Sequence, residues 1–118
     1  MEALRYVILH HSGIAEPHYD LLFETHPGSM LATWRSTEWP IESRTPVTRL
    51  RDHRRLYLDY EGDLSDNRGS VQRLAEGTCQ VDVGENAVWT IRLLSGAFPT
   101  TLVFRQIDGQ QWDVDLLQ

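Results

Sequence analysis

Three of the chain's five histidines, together with an aspartate, fall inside the stretch HHSGIAEPHYD, residues 10–20. Imidazole nitrogens and carboxylate oxygens are donors that divalent transition ions and zinc accept. His18 and Asp20 lie two residues apart, so on an extended strand both side chains leave the same face, about 6–7 Å apart at the backbone. That spacing lets them converge on one ion. His10 and His11 precede the link SGIAEP, and if this link folds back, one of the two histidines adds a third donor. Only one can do so, because neighbours on a strand point to opposite faces. Two histidines and one carboxylate leave positions open for water or substrate, which suits a catalytic divalent metal and also non-haem iron.

A second stretch, RLRDHRRLYLDYEG, residues 49–62, carries another kind of chemistry. As a strand it puts Arg51, His53, Arg55 and Tyr57 on one face, opposite Leu50, Leu56 and Leu58. All eleven basic residues are arginine, and five of them (Arg44, Arg49, Arg51, Arg54, Arg55) fall within twelve positions. The planar guanidinium fork matches phosphate through paired hydrogen bonds. A histidine flanked by arginines suits an anionic ligand, as hydrogen-bond donor or general acid beside phosphate. The same pattern also fits a solvated basic edge strand that discourages aggregation.

The elements that must position these residues are short strands. YVIL (Tyr6 to Leu9) is a continuous apolar run that leads into His10 and His11. HYDLLFE alternates, with Tyr19, Leu21 and Phe23 towards a core and His18, Asp20, Leu22 and Glu24 on the other side. RRLYLDYEG alternates as well, Leu56, Leu58 and Tyr60 against Tyr57, Asp59 and Glu61. GSVQRLA, GTCQVDV, AVWTIRLL, TTLVFRQI and QWDVDLL continue the pattern, with turn signals at Glu76-Gly77, Gly84-Glu85-Asn86, Ser95-Gly96 and Asp108-Gly109. Residues 24–48 hold three prolines and read as a strand with long loops. No long amphipathic helix is evident. A sheet of many short antiparallel strands has to close or pair to bury one face. The expected fold is therefore all-β, a small closed barrel of about eight mostly antiparallel strands with long connecting loops.

At 118 residues the chain fits one domain, 1–118, with a core of its own. A net charge of −6 argues against gripping nucleic acid through overall charge, and leaves a local arginine cluster as the route to phosphate. Cys79 is the only cysteine, so no internal disulfide is possible and a reducing cytoplasm is expected. Within its apolar alternation Cys79 reads as a small buried residue. Trp34, Trp39, Trp89 and Trp112 read as core or rim rather than base-stacking platforms. The four-residue apolar run near the start is too short for a signal peptide or a membrane span, so no membrane association is expected.

Taken in order, a histidine ending an apolar strand, HYDLLFE, DHRRLYLDYEGDL, RGSVQRLAEGT and the terminal LVFRQIDGQQWDVDLL resemble the 3′-phosphoesterase domain of bacterial DNA ligase D, from Tyr6 to Leu117. The resemblance implies a closed β-barrel and a manganese-dependent enzyme, with Zn2+ or Co2+ as alternative ions. Such enzymes remove a terminal ribonucleoside and then the remaining phosphate from nucleic-acid 3′ ends before end joining. Carried over by position, His11, His18 and Asp20 become the metal ligands and His53 the contact to the scissile phosphate. Tyr57 matches the tyrosine four residues beyond it, and Arg51 and Arg55 are candidates to assist. Leu22 stands where the family pattern has an arginine, Arg51 where it has an acidic residue, and the SGIAEP link is one residue longer. Partners on this reading are DNA or RNA-terminated 3′ ends and separate ligase or polymerase repair proteins, with the chain itself a monomer. Two other function classes fit the same residues. One is a non-catalytic module that recognises a phosphate terminus, and the other is a metal hydrolase or oxygenase acting on a small molecule.

Overall fold

Alternating apolar positions separated by turn residues put most of the chain into strands. The structure, a computed structural model, describes residues 3–96 and 100–117. The strands are β1 (Leu4–Ser12), β2 (His18–Glu24), β3 (Leu31–Ser36), β4 (Thr45–His53), β5 (Gly62–Asp63), β6 (Ser70–Val83), β7 (Val88–Leu93), β8 (Thr100–Asp108) and β9 (Gln111–Leu117). They hydrogen-bond in the order β1-β2-β3-β4-β9-β8-β7-β6, and β1 pairs back onto β6. Every pairing is antiparallel. The chain thus forms the expected eight-stranded closed antiparallel barrel, with the two-residue β5 added outside on β6. Among the described residues no helix is long and apolar enough to cross a membrane.

The barrel interior is packed with side chains. Tyr6, Ile8, Leu21, Phe23, Trp34, Ile91, Phe104 and Val114 are all buried there. Trp34 stacks on Phe104 at 4.1 Å between ring centroids, and Phe23 meets both edge-on. A second apolar cluster lies outside the barrel on the other face of β1 and β2: Val7, Leu9, Leu22, Leu31, Leu58 and Val71. The segment after β4 covers it. The YVIL run is continuous for this reason, since β1 is buried on both faces and both sets of alternating positions are apolar.

Three expectations change. Arg55–Leu58 is a 3-10 turn, not a strand, closed by the Tyr57 N–H on the Arg54 carbonyl (3.2 Å) and the Asp59 N–H on Leu56 (3.1 Å). Leu56, Leu58 and Tyr60 therefore share no face: Leu58 is buried against the outer cluster, whereas Leu56 and Tyr60 are exposed. Residues 70–83 form one long strand where two were expected, and Glu76-Gly77 is no turn. Gly77 instead permits a close backbone approach, because a Cβ there would lie 2.6 Å from the Ser95 carbonyl oxygen. Finally, a bulge in the β3–β4 ladder pairs Thr33 with Leu50 and Leu31 with His53, so Leu50 and His53 share the outer face although three residues apart. The expected opposition of His53 to Leu50 does not hold.

Candidate metal centre

Strand register decides which donors meet. His11 lies opposite His18 and Leu9 opposite Asp20, and residues directly paired across antiparallel strands project from one face. His11, His18 and Asp20 therefore rise together at one end of the outer face, each offering a ligand atom, with the three atoms all within 4.8 Å of one another. His10 points the other way and stacks on Tyr19 at 4.9 Å, so the first histidine of the cluster is His11. The link between β1 and β2 is held against the turn before β6. Gly13 has φ +73, and a Cβ there would sit 3.3 Å from the Gly69 Cα.

Backbone carbonyls orient both imidazoles. His11 Nε2 donates to the Arg68 carbonyl at 2.6 Å, and His18 Nδ1 donates to the Glu16 carbonyl at 2.9 Å. A carbonyl only accepts, so in the neutral rings these bonds fix the tautomers and leave the lone pairs on His11 Nδ1 and His18 Nε2. An N–H spent on a carbonyl is the usual outer contact of a metal-binding histidine. His18 and Asp20 are 6% and 5% exposed. His18 Nε2 stands 3.5 Å from Asp20 Oδ1, and both atoms are buried without a hydrogen-bond partner among the described residues. Two buried acceptors facing each other are costly unless a cation lies between them. The donor set and the orphaned pair both fit a divalent ion. Burial pushes the Asp20 carboxyl up, but the adjacent His18 imidazole and the charges of Arg35 and His53 outweigh it and hold the group below the usual carboxylate range.

His53 ends β4 on the same outer face, with Nδ1 donating to the Arg51 carbonyl at 3.1 Å and its ring 5.8 Å from that of Tyr57. Tyr57 packs half-buried on the outer apolar cluster. The arginine cluster is dispersed. Arg55 binds the buried Glu24 carboxylate and the Ser29 carbonyl (2.8 Å), a structural tie at the far end of β2. Arg44 binds Asp113 at 2.6 Å. Arg49 faces the barrel interior with its guanidinium carbon 4.5 Å from the Trp34 ring centre and 4.8 Å from that of Trp89. Arg51 is exposed and makes no side-chain hydrogen bond or ion pair among the described residues.

Leu22 is fully buried in the outer cluster with Leu58, so the position where the resemblance leads one to expect an arginine is sealed. Arg35 was not singled out from the sequence. It lies opposite Asp20 on β3, with Nε 3.5 Å from Asp20 Oδ1. Its signal was the alternation in LATWRS, where Thr33 and Arg35 are the polar face and Ala32 and Trp34 the core face. Beside His18 and Arg35 a groove of ≈ 760 Å³ runs between the β1–β2 link and strands β3, β4 and β9. Cys79 is fully buried on β6, and burial, with the charge of Glu24, pushes its thiol up to about 12, which rules it out as a nucleophile. No protein-family model matches the chain, and no curated protein matches it either.

Proposed function

We propose that the protein is a divalent-metal-dependent phosphoesterase that acts on the 3′-terminal phosphate of nucleic-acid ends, as its resemblance to the ligase D 3′-phosphoesterase domain implies. The observation that carries this reading is the pair of buried atoms, His18 Nε2 and Asp20 Oδ1, that have no hydrogen-bond partner among the described residues, with His11 completing the donor set. Mn2+, or Zn2+ or Co2+ in its place, would supply a Lewis acid and a bound water acidic enough to ionise near neutral pH. The chain's own part is orientation and proton handling. The Arg68 and Glu16 carbonyls hold the two imidazoles in the tautomers that present a lone pair. His53, with Nδ1 spent on the Arg51 carbonyl, has Nε2 left to hydrogen-bond a phosphoryl oxygen or protonate a leaving oxygen. Tyr57 packs beside that ring and limits its movement.

The test is a primer-template bearing a 3′-phosphate, or a single 3′-ribonucleotide, incubated with the protein and Mn2+. Release of inorganic phosphate or of the terminal nucleoside is expected, lost in His53→Ala while Mn2+ affinity stays. The sealed Leu22 favours one second reading, a module that keeps metal and phosphate binding without turnover. Binding of the 3′-phosphate end with no release would establish that reading and overturn the enzyme. Tightly held iron in the purified protein would favour an oxygenase instead.

A further inference from the structure

We propose that Arg35 is the residue that binds the substrate phosphoryl group, and that the phosphate enters from the β3 side of the site, over the adjoining groove. This rests on the phosphoesterase reading above. The approach over β2 is closed, because Leu22 lies fully buried in the outer apolar cluster with Leu9, Leu31, Leu58 and Val71. Three other arginines around this face are occupied. Arg55 holds Glu24 and Ser29, Arg73 pairs with Glu61 and Glu76, and Arg5 pairs with Asp59. Arg35 differs from them. Its side chain is 43% exposed and its Nε stands 3.5 Å from Asp20 Oδ1, yet none of its N–H groups makes a hydrogen bond among the described residues.

A guanidinium held by charge over a buried carboxylate, with its five donors unspent, is an anion receptor. With a divalent ion held by Asp20, the carboxylate charge would be taken up, and Arg35 and the ion would be two adjacent positive centres for one doubly charged group to satisfy. A terminal phosphate has that charge and the oxygen spacing that the guanidinium fork matches. The groove then accounts for the rest of the substrate. Among the described residues Arg35 is the one arginine and Glu16 the one acid lining it, and Ile14, Pro17, Val47, Thr48 and Gln111 are apolar or neutral. Such a surface takes a nucleoside-sized organic group and offers a polyanionic backbone no further partner.

The experiment measures binding of inorganic phosphate to the Mn2+-loaded protein by calorimetry, alongside Mn2+ affinity by electron paramagnetic resonance. The parent is compared with Arg35→Ala, Arg35→Lys, the competing candidate Arg51→Ala and the control Arg105→Ala, an exposed arginine on β8. Arg35→Ala should weaken phosphate binding about 10- to 100-fold, the loss of one or two charge-assisted hydrogen bonds, with Mn2+ affinity retained. Arg35→Lys should recover part of it, since lysine keeps the charge and loses the fork. Arg105→Ala should bind as the parent does. Equal phosphate affinity in Arg35→Ala and parent overturns the inference, as does a loss that appears in Arg51→Ala instead. If that equality comes with intact Mn2+-dependent phosphate release, only the role of Arg35 fails. If the parent binds no Mn2+, the metal reading falls and this inference with it.

Discussion

Replacing Asp20 with asparagine separates a metal centre from an ordinary buried polar pair. His18 Nε2 faces Asp20 Oδ1 across 3.5 Å, and neither atom has a hydrogen-bond partner among the described residues. Each such unsatisfied buried group costs about 1–3 kcal/mol. Asparagine keeps the shape and, turned so that its amide nitrogen faces His18 Nε2, donates the missing hydrogen bond for a gain of about 1 kcal/mol. It gives up the pairing with Arg35, which at 43% side-chain exposure is worth at most about 1 kcal/mol. The metal-free variant should therefore unfold within about 1 kcal/mol of the parent. Response to metal should differ sharply. With Mn2+ at a hundred times its dissociation constant, linkage stabilises the parent by about 2.7 kcal/mol. At about 4 °C per kcal/mol for a domain of this size, that raises Tm by about 11 °C. Asp20→Asn should lose nearly all of this rise. Thermal unfolding followed by circular dichroism, with and without Mn2+, reads both quantities. The reasoning fails if the variant keeps the rise. It fails equally if the parent shows none and the metal-free variant is several kcal/mol less stable, because the pair would then hold a proton and serve the fold alone.

Two further outcomes follow from buried titratable groups. Glu24 is 4% exposed and accepts from the Arg5 N–H (2.7 Å), the Gly28 N–H (3.4 Å) and Arg55; burial pushes its carboxyl up, but these bonds outweigh it and hold the group below its ordinary 4.5. A lowered carboxyl stabilises the fold above its unfolded-state value, and this contribution is lost as pH falls through the folded value. Glu24→Gln should thus cost about 1–3 kcal/mol in urea unfolding at pH 7, and a deficit that fails to shrink below pH 4.5 refutes the assignment. Cys79, fully buried with its thiol near 12, should resist thiol reagents in the native protein at pH 8 and react fully once denatured; rapid native labelling would contradict its place in the barrel core.

The sequence showed most of the barrel, and where it misled, the cause was local. Period-two alternation reports which face a side chain takes only while the ladder is unbroken. In β2 it is unbroken, and His18 and Asp20 share a face as expected. In β4 the bulge between Leu50 and His53 reverses the parity, sending Arg49 into the barrel and His53 outward beside Leu50. Counting by twos therefore grouped arginines that end in separate environments. The L-x-L-x-Y spacing of residues 56–60 imitated a strand because one buried leucine, Leu58, suffices to close the outer cluster, and alternation has no signature for a single 3-10 turn.

The site itself was partly legible for a related reason. The choice between His10 and His11 depends on cross-strand register, which the unusual length of the SGIAEP link obscured and the pairing of His11 with His18 resolves. Arg35 was invisible because its relation to Asp20 spans the 25–30 connection, whose length no local pattern sets. Yet the two departures are coupled in structure. An arginine at position 22 would have to lie within the outer apolar cluster, so on the proposed function the cation for phosphate comes from a neighbouring strand on the same face. β3 is that neighbour, and its residue opposite Asp20 is an arginine with its donors unspent among the described residues. On the proposed function, Leu22 and Arg35 are two sides of one arrangement, in which the phosphate contact would lie one strand spacing from β2 and His11, His18 and Asp20 would hold the metal.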